Sequence, residues 1–243
     1  MDAELKREVA EHLATFVSQN KKEKIEWVLE RRTRHLTIAL EDVYQPYNAS
    51  AVLRSCDCFG VQDVHIVEKR NVYRVSADVA LGASQWLSLF HYSGAEDNSA
   101  ACIAALREKG YDLIAATPHA EDILLDDLAI EHPLAVFFGT EEEGLAEETL
   151  AQMDRCAKIP MFGFTESFNV SVSAALVLRQ LTRRLRAGID WRLDEAEKLD
   201  LRLEWYRNVV RGSELIERRY LEERDIRCEP ARDEGGYSST GNY

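Results

Sequence analysis

Residues 159–178, IPMFGFTESFNVSVSAALVL, place a polar turn between two apolar segments. The first segment, Ile159 to Met161, reads as the end of a strand, and the second, Val170 to Leu178, reads as a helix. Both flanks are typical of a buried core, yet the turn between them contains glycine, serine and asparagine. Because ligands bind beyond the carboxyl ends of strands in open parallel sheets, we interpret this turn as a candidate ligand-binding loop.

The remainder of the chain alternates strand and helix patterns. Strands are predicted at 36–43, 64–67, 87–92, 111–117, 134–139 and 156–161. Helices are predicted within 3–32, after Asn48 as the N-cap, near 79–87, over 99–109 with Gly110 at the end, and over 145–153. This alternation predicts an α/β fold whose mostly parallel sheet carries helices on both faces. We expect a helical N-terminal arm over 1–34, the α/β domain over 35–188, and a helical extension over 189–243 whose last 13 residues are disordered.

Composition places the chain among globular proteins of a reducing compartment. It has 243 residues, with 46% hydrophobic and 30% charged, and its five cysteines form no C-x-x-C pair. We expect a cytoplasmic protein without a disulfide framework, a metal site or a membrane segment. The net charge of −13 argues against nucleic acid, but basic residues concentrate at 21–34 and 179–192. These two clusters are either solvated helix faces or local binding patches.

Two further polar loops follow predicted strands. One is Gln45-Pro46-Tyr47-Asn48, and the other is the run from Gly139 to Gly144, GTEEEG. The second lacks the Gly-Lys-Ser/Thr of a phosphate-binding loop and the G-x-G-x-x-G of a dinucleotide site. Taken alone, its acids are helix caps, and Arg54, which lies off the apolar stripe of its helix, is either a surface residue or a phosphate ligand. If the strands are neighbours, all three loops converge.

Taken in order, the three loops resemble the signature motifs of the SpoU-type branch of the SPOUT superfamily of RNA ribose 2′-O-methyltransferases. The first motif, N-x-x-x-x-x-R, is present from Asn48 to Arg54, and the second, G-x-E-x-x-G-L, from Gly139 to Leu145. The third spans Ile159 to Ala175, with Phe168 at a usual Leu position. The likeness covers about residues 20–190 and is greatest to the tRNA (guanosine-18) methyltransferases, although Tyr47 replaces a frequent His.

The resemblance implies a trefoil knot near the C-terminus, a homodimer, and S-adenosyl-L-methionine as the cofactor. It implies cofactor contacts from Thr117, Gly139, Ile159, Met161 and Phe168, with Gly139 allowing close approach and Gly163 bending the loop. It assigns catalysis to five residues, with Arg54 as phosphate anchor and transition-state stabiliser: Arg54, Asn48, Glu141, Ser167 and Asn169.

The implied reaction is methylation of a ribose 2′-OH in tRNA, at guanosine 18 of the D-loop. The basic clusters supply the candidate RNA-binding residues, which are Lys21, Lys22, Arg31, Arg32, Arg34, Arg183, Arg184 and Arg186. The alternatives are a ribosomal RNA ribose, another tRNA position, or a non-catalytic RNA-binding factor with the same fold. An ordinary Rossmann methyltransferase is disfavoured, because no glycine-rich loop follows the first strand.

Overall fold

The computed structural model describes residues 1–71, 82–118 and 123–228, with side chains up to residue 224. Contacts divide the chain into two compact units. One comprises Glu26–Glu195, and the other combines Met1–Ile25 with the described part of the segment that begins at Ala196.

The larger unit is built on a seven-stranded sheet in the order β3-β2-β1-β6-β4-β7-β5, in which every neighbouring pair runs parallel. The strands are β1 (Leu36–Glu41), β2 (Asp63–Val67), β3 (Ser88–Tyr92), β4 (Asp112–Ala116), β5 (Ile123–Leu124), β6 (Leu134–Phe138) and β7 (Arg155–Lys158). Every residue of β1, β2 and β6 is buried. Parallel strands covered on both faces require such apolar runs, which confirms the predicted α/β class.

Helices cover both faces of this sheet. They are α3 (Pro46–Phe59), α4 (Asn98–Glu108), α5 (Glu147–Leu150) and α6 (Val170–Gly188) in the larger unit. Leu53 of α3 and Leu178 of α6 lie in one core cluster, whereas Leu106 of α4 lies in a second cluster with Phe137. Gly110, with φ of 80°, follows α4 as predicted.

Three local predictions are wrong. The strand β7 ends at Lys158, so Ile159–Met161 is irregular; Pro160 has no N–H to continue a ladder. The helix α3 begins at Pro46 after Gln45, so Asn48 lies inside its first turn and is not the N-cap. The helix predicted over 145–153 is confined to Glu147–Leu150.

The smaller unit contains α1 (Ala3–Ala14), α7 (Glu195–Val209) and α8 (Ser213–Cys228). Lys6 pairs with Asp200 at 2.5 Å, and Arg224 pairs with Glu8 at 2.8 Å. The two chain ends, which the sequence pattern treats as separate extensions, therefore contact each other. The helix α2 (Gln19–Leu29) completes the predicted N-terminal helical stretch. The predicted disordered tail, 231–243, and most of the predicted helix near 79–87 lie outside the described residues.

The trefoil knot that the resemblance implies stays a prediction. Within the described ranges, no helix has both the length and the apolar character needed to cross a membrane.

Candidate active site

The three polar loops meet at one edge of the sheet. They follow β1, β6 and β7, whose carboxyl ends point the same way because the strands are parallel. The Asn48 side chain, only 7% exposed, joins them. Its Nδ2 donates to Glu141 Oε1 at 2.5 Å, and its Oδ1 accepts from Asn169 Nδ2 at 3.1 Å. Asn48 of the first motif therefore contacts Glu141 of the second motif and Asn169 of the third.

The position of Asn169 is fixed by the helix that follows it. Asn169 is the N-cap of α6, and its Oδ1 accepts from the backbone N–H of Ser171 at 2.9 Å. This capping bond leaves the Nδ2 group free to donate to Asn48. Asn48 itself lies on the first turn of α3, next to the strand β1. The positions of Asn48 and Asn169 therefore depend on the N-terminal ends of α3 and α6.

Arg54 is exposed and lies on α3 beyond Asn48. Its side chain makes no hydrogen bond or ion pair within the residues that the structure describes. It is also not part of the cavity lining. A charged group without a partner on the protein remains available to an anionic ligand.

A cavity of about 290 Å³ opens beside these loops, at the carboxyl ends of β4, β6 and β7. Its floor is apolar, with Ile114, Val136 and Phe138, and its rim carries the carboxylates of Glu141, Glu142 and Glu143. The predicted cofactor residues that line it are Thr117, Gly139, Ile159, Met161 and Phe168, and the predicted catalytic residues that do so are Glu141 and Ser167. A ligand that carries both a flat apolar ring and a positive charge fits such a lining.

Backbone groups at the cavity can bind a ligand. Met161 makes no hydrogen bond within the described chain, so both its N–H and its C=O are available to a ligand. Phe168 is 43% exposed although it lines the cavity. The irregular backbone after β7 thus supplies polar groups where a continued strand would have consumed them.

The structure adds a second constraint at Gly139 and removes the predicted one at Gly163. A Cβ on Gly139 would lie 2.1 Å from the carbonyl group of Gly144 and 2.2 Å from the Leu145 nitrogen. The lack of a side chain at Gly139 therefore lets the protein's own loop pack against this residue, in addition to the predicted approach of a ligand. Gly163 has no positive φ, and a Cβ there would meet nothing closer than 4.0 Å. Glycine is thus not required for the bend at Gly163.

A buried carboxylate that the motifs did not indicate supports this edge of the sheet. Glu41, at the end of β1, is 2% exposed and accepts hydrogen bonds from Ser99, Thr149 and the Ala146 N–H. Burial alone would raise the pKa of Glu41, but these hydrogen bonds and Lys69 hold it below its usual value. The sequence signal for this buried carboxylate is an acidic residue at the end of a mostly apolar strand.

The next residue, Asp42, forms a second support. It is the one described non-glycine residue with positive φ, 56°, and its Oδ1 accepts the backbone N–H groups of Lys69, Arg70 and Asn71. Arg70 also pairs with Glu143 at 2.5 Å, which raises the pKa of Arg70 and lowers that of Glu143 through their hydrogen bond. The loop after β2 is thereby tied to the loop after β6.

The predicted RNA-binding residues divide by exposure. Arg32 is 1% exposed and forms an ion pair with Asp57, so its guanidinium cannot reach a phosphate and its predicted role in RNA binding is wrong. Arg34 pairs with Asp63 at 3.1 Å, and Arg184 donates to the carbonyls of Leu125 and Leu128. Arg31, Arg183 and Arg186 are exposed, whereas Lys21 and Lys22, like Arg34 and Arg184, are half-buried.

A parallel sheet with a cavity at its carboxyl edge, and three polar loops joined by hydrogen bonds beside it, fit an α/β methyltransferase. The chain belongs to the SpoU rRNA Methylase family, whose model matches residues 35–179. That match covers all three motifs and confirms the predicted family.

Individual relatives extend this likeness toward the chain ends. The tRNA (guanosine(18)-2′-O)-methyltransferase of Borreliella burgdorferi is 44% identical over 84% of this chain and 93% of its own length. The crystal structure of the Aquifex aeolicus TrmH/SpoU tRNA modifying enzyme covers 79% of this chain and 98% of its own, with a TM-score of 0.69 and 23% identity. The SpoU methyltransferase AviRb of Streptomyces viridochromogenes, solved with AdoMet, covers 66% of this chain and 64% of its own, with a TM-score of 0.55 and 22% identity.

Proposed function

We propose that this protein transfers a methyl group from S-adenosyl-L-methionine to the ribose 2′-hydroxyl of guanosine 18 in tRNA. The observation that carries the proposal is the hydrogen-bonded chain Asn169–Asn48–Glu141, which joins the three family motifs beside the cavity. The tRNA substrate is supported by the 44% identical Borreliella burgdorferi relative, which matches this chain along most of its length.

The cavity is the proposed cofactor site. Its apolar floor suits the adenine ring, and the acidic rim of Glu141 to Glu143 suits the positive sulfonium. Thr117, Ile159, Met161 and Phe168 would hold the cofactor, with Met161 contributing backbone groups. When bound, S-adenosyl-L-methionine supplies an electrophilic methyl group.

The ribose side of the proposed site is formed by Asn48 and Ser167, with Arg54 contributed by the partner chain. A ribose 2′-hydroxyl is a weak nucleophile and must lose its proton as it attacks. The guanidinium of an arginine offers five N–H donors and no acceptor, so we assign Arg54 the binding of the adjacent phosphate and the stabilisation of the developing oxyanion. Asn48 and Asn169 orient Glu141 toward the cavity. Ser167, exposed at the cavity wall, is placed to hydrogen-bond the ribose.

We propose a homodimer in the cytoplasm, in which Arg54 completes the site of the partner chain. Exposed apolar residues at the third motif suit a surface that a second chain covers. Phe162 is 97% exposed and Phe164 is 108% exposed, and Val172 and Leu176 on α6 are also exposed. Patches of this kind commonly mark interfaces. The trefoil knot and the domain limits 1–34, 35–188 and 189–243 remain part of the proposal.

Arg54→Ala tests the site. Because Arg54 is exposed and unpaired in the described chain, its loss should change the unfolding free energy by less than about 0.5 kcal/mol. Methyl transfer to bulk tRNA should fall about 100-fold to 1,000-fold, with cofactor binding retained. Lys should rescue only in part, since it lacks the planar fork.

The matched control is Arg211→Ala, another exposed arginine with no partner among the described residues. It should leave methyl transfer unchanged. Arg54→Ala protein that methylates tRNA at the parental rate would remove Arg54 from the site. Mapping of the 2′-O-methylated position identifies the nucleotide, and a product other than guanosine 18 would correct the substrate.

A ribosomal RNA ribose is the second candidate, because the matching family model is described for rRNA. Methyl transfer to ribosomal RNA, with none to tRNA, would favour it. A non-catalytic RNA-binding role is disfavoured, since Arg54, Glu141, Ser167 and Asn169 are all present.

A further inference from the structure

Two tryptophans and three arginines surround the C-terminal end of α3. We call this set the Arg–Trp cluster; it comprises Trp27, Arg31, Arg186, Trp191 and Arg192. All five residues belong to the larger unit, although they come from separate parts of the sequence. Trp27 is 51% exposed, and the three arginines are exposed. Trp27 and the three arginines are thus at the surface, whereas Trp191 is buried and belongs to the hydrophobic core.

Each guanidinium of the cluster lies over an indole ring. The Arg31 Cζ is 4.1 Å from the Trp27 ring centroid, and Arg31 Nη1 also donates to the Trp27 carbonyl at 2.7 Å. Trp191 carries two guanidinium groups, Arg186 at 5.3 Å and Arg192 at 5.0 Å. Stacking restricts these long side chains in the free protein, so less conformational entropy is lost when they bind a ligand.

Gly60 brings the two halves of the cluster together. Its φ is 80°, and a Cβ at this position would lie 2.4 Å from the Arg31 carbonyl oxygen and 3.0 Å from Arg186 Nη2. Arg186 Nη2 also donates to the Phe59 carbonyl at 2.7 Å, at the end of α3. Burial lowers the pKa of Arg186, and the nearby charge of Arg31 lowers it further. The fold therefore holds two like charges close together.

The described part of the chain provides no acidic partner for these charges. Within the described residues, Arg31, Arg186 and Arg192 form no ion pair with a carboxylate. Other arginines of the same unit do, including Arg32 with Asp57 and Arg107 with Asp154. In a chain with a net charge of −13, carboxylates are abundant. Three unpaired, stacked arginines in such a chain form a site that an anion would neutralise.

We propose that the Arg–Trp cluster binds the sugar-phosphate backbone of the RNA substrate, outside the catalytic cavity. This inference rests on the proposed function for the identity of the RNA as tRNA. Arginine with an exposed indole is a pairing that suits phosphate and base together. Along the axis of α3, Phe59 lies about 8 Å beyond Arg54, because five residues rise about 1.5 Å each. The cluster is thus placed to hold a backbone segment near the one that Arg54 contacts.

The test is the salt dependence of tRNA binding by the full chain. In Arg31→Gln/Arg192→Gln, the slope of log K against log salt should fall by roughly two units, one for each lost phosphate contact. Affinity near 0.15 M salt should fall about tenfold or more. The control Arg211→Gln/Arg218→Gln makes the same charge change at exposed positions of the smaller unit. An equal fall in both double variants, or in neither, overturns the proposal.

Trp27→Leu separates stacking from charge. It keeps every arginine but removes the ring beneath Arg31. Affinity should fall several-fold with an unchanged salt slope, because the number of phosphate contacts stays the same. Parental affinity in Trp27→Leu would overturn the stacking role of Trp27.

Measuring methylation in parallel keeps the two proposals distinct. Parental protein that binds tRNA through the cluster without methylating it refutes only the proposed function. Parental protein that methylates tRNA, with an unaltered slope in Arg31→Gln/Arg192→Gln, refutes only the cluster. Parental protein that neither binds nor methylates tRNA refutes both.

Discussion

Replacement of Glu41 tests whether the motif loops depend on one buried carboxylate. The Glu41 Oε1 accepts from the hydroxyls of Ser99 and Thr149, each at 2.5 Å, and lies 3.0 Å from the Lys69 ammonium. Its Oε2 accepts from the Ala146 N–H at 3.0 Å. Ala146 follows the loop that carries Glu141, so these bonds connect β1 to the catalytic edge.

Glu41→Gln keeps the shape of the side chain and removes its charge. The amide oxygen can still accept from the Ala146 N–H, and the two hydroxyls can turn to accept from the new NH₂ group. What is lost is the attraction to Lys69 and the charge assistance to three hydrogen bonds. Since a hydrogen bond to a charged group contributes about 1 kcal/mol more than a neutral one, the three bonds together predict a loss of about 3 kcal/mol.

Glu41→Ala should cost more, about 4 kcal/mol, because it leaves buried donors without an acceptor. The measurement is urea denaturation at pH 7. Glu148→Gln is the matched control, since Glu148 is an exposed acid on α5 beside Thr149, and its effect should stay within about 0.5 kcal/mol.

The pH dependence gives a second readout. The folded pKa of Glu41 is below its unfolded value of about 4.3, so its contribution is fully present above that value. The contribution is lost as pH falls through the folded pKa, so the stability gap between the parent and Glu41→Gln should narrow below about pH 4. A Gln variant as stable as the parent at pH 7 would refute the reasoning.

Two further predictions concern the cavity and a buried histidine. Gly139→Ala should weaken S-adenosyl-L-methionine binding in calorimetry and lower the melting temperature, because its Cβ would lie 2.1 Å from the loop backbone. The control Gly163→Ala should behave as the parent, since a Cβ there would meet nothing closer than 4.0 Å. Equal binding by both variants would contradict this prediction. Burial lowers the pKa of His65 to about 4, with a smaller contribution from Lys109. Since this is below the unfolded value of about 6.5, the stability from neutral His65 should be lost as pH falls from about 6.5 to 4. An NMR titration that places the His65 pKa near 6.5 would exclude this.

Much of the fold follows from the sequence because its signals are local. The strands β1 and β6 are short apolar runs, and Gly110 and Asn169 mark helix ends by the chemistry of one residue. The motif residues could also be identified, since their spacing along the chain is itself the signal. Local patterns could further indicate that three loops would converge, because parallel strands end at the same edge.

Tertiary structure decided which charged side chains are available. Arg32 and Arg31 are adjacent in a basic run, yet Arg32 is buried against Asp57 while Arg31 stacks on Trp27 beside Arg186. Glu41 and Asp42 are adjacent in sequence, yet Glu41 accepts hydrogen bonds from Ser99 and Thr149, whereas Asp42 accepts them from the loop after β2. The partners of these residues lie far away along the chain. Their burial and pairing depend on sheet order and helix placement, which no local pattern encodes.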